Sequence, residues 1–325
     1  FKHKKNMAQP ISVEIFQNYV AEKLRRENPF LAAAADESGS VLGGAVVHIP
    51  QAGPSPSVVK NRSTFPATAV KRSDRDVTYA LDVFTTDPTH IEWAEVNELS
   101  YDKTDSVLRD HVATLMETVG DNMLYNWVTG KKLNTGGTAY EADALPAANK
   151  IATTGSSTAV NAEDGQTGSR KALTYKELQT AQAKMNKAGV AKAGRYALLE
   201  SYMYQQFLDS LSANQMAAFQ ESADLKNGVV GRFAGFEIME RSQVLAFDAQ
   251  GVAKVPGEAL DATDNLACLF WQKDCVAKAL GDIKPFQNID DPQYYGDIFS
   301  ALVKCGGRCR REDWAGVLAV VQAAV

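Results

Sequence analysis

Three glycines punctuate LKNGVVGRFAGFEIMERSQVL, residues 225–245, at positions 228, 231 and 235. Closely spaced glycines before an apolar run are the raw material of a phosphate-binding loop, where backbone N–H groups must approach the ligand. A dinucleotide fingerprint, however, runs G-x-G-x-x-G between a strand and a helix. Here the glycines stand three and four residues apart, and FEIMER after the third has the composition of a strand. Without a helix N-terminus nothing meets a phosphate. Phe236-Glu237 also occupies the place where a Walker loop needs Lys-Ser or Lys-Thr. What remains for these glycines is conformational work, allowing positive φ and close backbone approach at a turn into a strand.

Other residues are of types that could do chemistry. CGGRC, residues 305–309, places two thiols at short spacing and invites comparison with half of a zinc site. Zinc pairs are usually spaced CxxC or CxxxxC, and none of His3, His48, His90 and His111 is near this segment in sequence. The expectation is therefore reduced cysteines around a Gly-Gly turn that joins two strands. All four cysteines (Cys268, Cys275, Cys305, Cys309) are too few for a disulfide scaffold, which fits an intracellular origin. His111 has no His or Cys partner at i+4 and is expected to face solvent or make a hydrogen bond. Asp290-Asp291 and Glu312-Asp313 are adjacent acids whose side chains diverge in a strand, so turn chemistry explains them better than catalysis. GSSTAVNAEDG lacks the G-x-S-x-G spacing of a nucleophile elbow. No Ser/His/Asp set, Cys/His dyad or metal-ligand spacing assembles, so neither catalysis nor a cofactor is expected.

The chain of 325 residues has 39 acidic and 34 basic side chains, a formal net charge of -5. A protein that grips nucleic acid tightly usually carries a basic excess, and this one does not. No apolar run reaches the roughly 18 residues that cross a bilayer. MAQPIS from Met7 has the look of a natural start, so residues 1–6 are expected to be an upstream remnant.

The elements that would position these residues follow from pattern. Residues 11–27 have a helical pattern with Ile11, Ile15, Phe16 and Tyr19 on one face, closed by Asn28-Pro29. VLGGAVVHIP and DVTYALDVFTT, between residues 41 and 86, have strand composition, with QAGPSPS and the charged KRSDRD of 71–76 between them. That predicts a long hairpin-like excursion, followed by a turn at Thr85–Pro88 and a short strand in HIEW. Residues 104–128 predict the longest helix, roughly 37 Å at the standard rise. Residues 129–172, rich in Gly, Ala, Thr, Ser and Asn, predict a long loop or an element ordered by its neighbours. TYKE at 174–177 is a capping box for a helix to about Lys187, ended by Gly189. GRYALLE, 194–200, predicts a buried strand, and SYMYQQFLDSL, 201–211, a helix with Ser201 near its cap.

The run from AGRYALLESYMYQQFLDSL to NGVVGRFAGFEIMERSQVL resembles the major capsid proteins of tailed bacteriophages, with the Hong Kong 97-like fold. Gly194-Arg195, Leu208, Leu211, Asn227-Gly228, Gly231, Gly235-Phe236, Ile238 and Ser242 stand at the places that carry the likeness. Arg310, Arg311, Gly316 and Val317 match the closing strands, where an Arg-rich turn leads to Gly-Val. Glu200-Ser201 departs from the pattern, since many members have Ser or Asp followed by Pro there.

The resemblance covers nearly the whole chain and implies an α+β fold in five parts. These are an N-terminal arm (1–40), an extended β-hairpin loop (41–99), and a peripheral-domain spine helix with an insert (100–172). An apical domain (173–260) and its remainder with the closing peripheral strands (261–325) complete the chain. It implies a subunit of an icosahedral head shell, many copies meeting as hexamers and pentamers around double-stranded DNA held without sequence-specific contacts. Portal and scaffold or decoration proteins would be the other partners, no membrane would be involved, and the shell would assemble in the host cytoplasm to become the virion capsid. Intersubunit ion pairs are expected from Lys71, Arg72, Asp74, Arg75 and Asp76, and from Arg308, Arg310, Arg311, Glu312 and Asp313. Some members cross-link Lys to Asn; Lys60 and Lys71 lie in the corresponding loop without a matching motif. The mild negative charge suits a shell whose inner wall must not hold phosphates strongly. An encapsulin-like compartment around a cargo enzyme, and a soluble α+β enzyme of unknown reaction, are the competing readings.

Overall fold

The architecture is seen in a computed structural model that describes residues 26–39, 46–53, 55–93, 103–133, 139–160, 165–224, 226 and 228–325. In chain order the first strands are β1 (Ala35–Asp36), β2 (Val46–Gln51), β3 (Arg75–Ala80), β4 (Asp82–Thr85) and β5 (Thr89–Glu92), followed by helix α1 (Lys103–Asn126). Then come β6 (Thr129–Leu133), β7 (Tyr140–Ala144), β8 (Lys150–Ala152), β9 (Ser157–Ala159) and β10 (Ser169–Lys171). Helix α2 (Tyr175–Lys187), β11 (Arg195–Glu200), α3 (Ser201–Asp209) and α4 (Ala213–Glu221) lead to β12 (Val229–Phe233), β13 (Phe236–Arg241) and β14 (Leu245–Phe247). The chain closes with β15 (Asn265–Gln272), β16 (Val276–Leu280), β17 (Lys284–Asp291), β18 (Gly296–Cys309) and β19 (Val317–Val321).

NLACLFWQ explains the centre of the molecule. A continuous apolar run has no polar face to turn outward, so β15 must be covered on both sides. It lies inside a seven-stranded sheet ordered β12-β13-β11-β15-β19-β8, with β14 also paired to β15. On one face Leu178, Met185, Met203, Phe207 and Phe219 of the three helices α2, α3 and α4 cover Phe236, Ile238 and Phe270. On the other, Phe30, Trp127, Trp271 and Trp314 form an aromatic core, with the Trp127 and Trp271 rings 5.3 Å apart. Each such ring removed from water contributes on the order of 1.5–3 kcal/mol.

Two further sheets lie along α1. β18 is the spine of a six-stranded sheet ordered β1-β16-β18-β17, with β4 and β5 also paired to β18. Leu115 and Val119 of α1 pack on Ala301, Val303 and Cys305 of that strand. The third sheet, β2-β3-β6-β7, is antiparallel and holds the root of the hairpin, with Gln51 opposite Arg75.

The helix expected at 104–128 runs Lys103–Asn126, and the capping box of α2 forms as TYKE predicts. Of the two readings of residues 129–172, the element ordered by its neighbours holds: β6 and β7 join the hairpin sheet and β8 joins β19. Their side chains bury little, and pairing to neighbouring strands supplies their order. Three expectations need correction. CGGRC is not a turn but the last residues of the long strand β18. Helix α3 is capped by Glu200 rather than Ser201, with Glu200 accepting from the Tyr202 and Met203 N–H groups at 3.0 and 2.9 Å. His111 is buried, and its Nε2 has no hydrogen-bond partner among the described residues. Helix α4 was not expected at all. The helix expected over 11–27 lies outside the described residues apart from Arg26 and Glu27, which are not helical.

Candidate assembly surface

Between β2 and β3 the chain leaves the body of the protein, and every described residue from 55 to 75 is exposed. Val58, Phe65 and Val70 are 95%, 75% and 86% exposed. A single chain gives these apolar side chains nothing to bury against, so they are candidate contact residues. What the fold supplies is a rigid root.

That root is built around Arg308. Gly306 and Gly307, just before it in β18, have no room for a side chain. A Cβ at Gly306 would strike the Ala80 carbonyl, and one at Gly307 the Ala277 carbonyl and the Met123 sulfur. Three layers can close there only because both residues are glycine. Arg308 then reaches across them, wholly buried. Its Nη1 donates to the Thr78 carbonyl of β3 at 3.1 Å and to the Lys131 carbonyl of β6. Its Nη2 donates to Asp143 Oδ2 of β7 at 3.2 Å, and Nε to the Cys309 carbonyl at 2.9 Å. Trp314 stacks 5.5 Å from the guanidinium and donates its own Nε1–H to the same Asp143 oxygen at 3.0 Å. Lys132 Nζ lies 3.3 Å from the other oxygen. Burial pulls the Arg308 pKa down, while Cys309 and Asp143 oppose that shift.

A second ring of contacts surrounds this root. Gln51 donates to the Arg310 carbonyl at 2.7 Å, and Arg75 pairs with Glu312 at 3.1 Å. Arg310 Nε lies 3.1 Å from Glu37, which also accepts from the Tyr79 hydroxyl at 2.8 Å. Arg311 holds Asp313 at 3.0 Å, and that hydrogen bond keeps the Asp313 carboxyl below its ordinary range. On the hairpin itself Arg72 holds Asp74 at 2.6 Å, Asp74 accepts from the Gly53 N–H at 2.8 Å, and Asp76 meets His48 at 2.7 Å. Lys71 is exposed.

The ten charged residues expected to reach a neighbouring subunit thus divide. Arg308 is a correction: it lies inside the chain, where it holds three strands of the hairpin sheet. Arg75, Arg310 and Glu312 tie that sheet to the far end of β18 and to Glu37, while Arg72 with Asp74 and Arg311 with Asp313 are short-range pairs. Glu312 and Asp313 do diverge, one toward Arg75 and the other toward Arg311. Sequence reasoning missed Asp143 and Glu37. A lone acid in YEADA or AADES gives no spacing signal; only the buried guanidinium opposite explains Asp143.

No catalytic constellation gathers here. Cys305 and Cys309 are four residues apart along one strand, about 13 Å, too far to share a metal. Burial pushes both thiols up to about 12. No group of three or more His, Cys, Asp and Glu converges among the described residues. No described helix is long and apolar enough to cross a membrane.

The glycines of the opening stretch behave as turn-formers. Gly235 follows Ala234 in the tight β12–β13 connection, at φ 77°, and Gly231 leaves space for the Phe219 ring. The segment after Gly235 is strand β13, so the loop leads into a strand and not a helix.

Comparisons with known proteins agree with this geometry. The family model described as Phage capsid protein matches residues 12–313. Among solved structures, one titled Mycobacterium phage Che8 superposes with a TM-score of 0.63 at 18% identity, covering 95% of this chain and 97% of its own. The capsid of Ralstonia phage GP4 gives 0.65 at 13% identity, with 97% and 96% covered. The Cyanophage Pam1 capsid asymmetric unit gives 0.66 at 11% identity, with 97% of each chain covered. At these identities the structures speak for the fold alone. No curated protein sequence matches the chain.

Proposed function

The chain belongs to the phage capsid protein family, and on that premise we propose that it is the major capsid protein of a tailed phage, tiling as hexamers and pentamers into an icosahedral head around double-stranded DNA. One observation carries the reading: the family match and the shared fold both run almost from end to end of the chain. A shell needs a subunit that meets its neighbours over many surfaces, and heterologous contacts repeated by rotation close into rings. The described structure suits that demand, with a rigid body and a long exposed hairpin braced by Arg308.

The parts take the roles of a Hong Kong 97-like subunit. Residues 1–40 serve as the arm and 41–99 as the extended loop, while 100–172 supply the spine helix with the strands of the insert. Residues 173–260 form the apical domain, and 261–325 complete it and return through β18 and β19 to the periphery. Lys71, Arg72, Asp74, Arg75 and Asp76, with Arg310, Arg311, Glu312 and Asp313, lie at or beside the hairpin and are its polar contacts toward a neighbour. Portal and scaffold or decoration proteins complete the head, assembly takes place in the host cytoplasm, and no catalysis is involved. Electron microscopy of the purified chain tests this. Closed particles or capsomers are expected, and a monomer that persists at high concentration would rule the reading out.

A further inference from the structure

A charged helix face stands apart from the hairpin. From Lys171 to Arg195 the chain holds six cations and a single acid, Glu177, inside a protein of net charge -5. Glu177 is buried, and its two oxygens accept from the N–H and hydroxyl groups of Thr154 and Thr174. It is spent on those bonds and reaches none of the lysines around it. Arg195 is buried too, donating to the Val190 and Ala191 carbonyls. Lys171, Lys176, Lys184, Lys187 and Lys192 remain, and none of them forms an ion pair among the described residues. Lys132 and Lys254, by contrast, each meet a carboxylate.

Helix α2 sets part of this charge in a row. Leu178, Ala181 and Met185 are buried against the sheet. At about 100° per residue, Lys176, Thr180, Ala183 and Lys187 fall on the opposite side. Lys184 flanks the row and donates to the Ala148 carbonyl at 2.7 Å. Helix stability accounts for Lys184 and Lys187, which sit in the last turn, at the negative end of the dipole. It does not account for Lys176 in the first turn, where the dipole repels a cation.

The face suits phosphate better than protein. A protein partner needs apolar anchors at the centre of its contact, and this row offers only Ala183 there. A phosphate backbone asks for spaced cations and polar neighbours, and Gln179 and Asn186 stand exposed on either side of Ala183. From Lys176 to Lys187 the helix runs roughly 16 Å, a length over which a duplex presents about ten phosphates. Lysines act as point charges without a bidentate grip, so the contact is weak and sensitive to salt. Packaged DNA could then touch the wall without being arrested on it.

We propose that the solvent face of α2, chiefly Lys176, Lys187 and Lys192, is a seat for the phosphate backbone of duplex DNA, bound without regard to sequence. This rests on the shell reading above and names the surface that meets the DNA.

The experiment titrates the full-length chain, kept below the concentration at which particles form, against a linear DNA duplex followed by fluorescence anisotropy. Lys176→Gln/Lys187→Gln/Lys192→Gln is compared with Lys131→Gln/Lys226→Gln/Lys284→Gln, which removes the same charge from exposed positions elsewhere. Circular dichroism establishes that both variants are folded. The α2 variant is expected to bind at least tenfold more weakly at about 50 mM salt, and its slope of log affinity against log salt should be shallower by about 2.7. The control variant is expected to stay within about twofold of wild type. Equal losses in the two variants would overturn the assignment, because net charge alone would then explain the binding. Absence of wild-type binding at that salt would overturn it as well, and binding to polyglutamate in place of DNA would give the face to an acidic protein. Electron microscopy of the concentrated wild-type chain keeps the two readings apart. Particles without DNA affinity would sink the α2 face and leave the shell standing. A chain that forms no particles would remove the shell reading, and this assignment with it.

Discussion

Arg308 Nη2 and Asp143 Oδ2 lie 3.2 Å apart in the interior, 165 residues apart in sequence, and join the hairpin sheet to the closing strand. Neither group would be buried without the other. Removing one partner of such a pair leaves an uncompensated charge, at a cost of about 3–5 kcal/mol. Arg308→Met should therefore lower stability to urea by that amount, the more so because the Thr78 and Lys131 carbonyls lose their donor. Asp143→Ala should cost a similar amount, and the double variant less than the two costs added. Additive losses would mean that the pair does not act as a unit.

Much of this frame was legible in the chain. The apolar period of α1, the capping box of α2 and the strand composition around β3 each follow from local residue types. Gly306 and Gly307 were not legible. A Gly-Gly pair signals a turn when neighbours in sequence decide the backbone, but here the decision comes from Ala80, Ala277 and Met123, far away in the chain. The insert was half legible for the same reason, its composition leaving it between a loop and an element ordered by its neighbours. β7 (YEADA) and β8 (KIA) have little apolar area of their own, and register against β6 and β19 sets them. The candidate site was half legible: the charged positions could be found, but which of them turn inward could not.

The cap of α3 gives a clean comparison between the two neighbouring residues. Glu200 is buried and accepts two N–H bonds, while Ser201 makes no such bond as the first residue of the helix. Glu200→Ala should cost about 1–2 kcal/mol, the range for lost helix caps. Ser201→Ala should stay within about 0.5 kcal/mol of wild type. Equal losses in thermal denaturation would return the cap to Ser201.

Acid should weaken the fold through a small set of carboxylates. Burial works to raise the Asp264 pKa, but hydrogen bonds from Lys254 at 2.6 Å and from the Asp261 N–H at 2.7 Å outweigh it, and the net shift is downward from 3.8. A carboxyl lowered in the folded state stabilises above its unfolded value and loses that contribution as pH falls through the lower, folded value. Asp36, Asp74 and Asp313 are shifted the same way. Urea midpoints should hold between about pH 7 and pH 5 and fall steadily below about pH 4. Asp264→Asn should be less stable at neutral pH and show a shallower acid decline. An unchanged slope would place the acid sensitivity elsewhere.

Excision of the hairpin separates folding from assembly. Residues 55–72 are exposed throughout, so their loss uncovers little apolar surface and should leave the melting temperature nearly unchanged. The cut must spare Gln51 and Arg75, whose bonds to the Arg310 carbonyl and to Glu312 brace the root. It must spare Asp74 too, which holds the Gly53 N–H and closes the base of the hairpin. With β2 and β3 rejoined by a short turn, Arg308 keeps all its partners and the subunit should remain soluble and folded. Val58, Phe65 and Val70 would be gone, and with them the largest exposed apolar surface of the hairpin. Particle yield in sedimentation should drop at least tenfold at equal protein concentration. Normal yield from a folded, excised chain would remove the hairpin from the shell contacts.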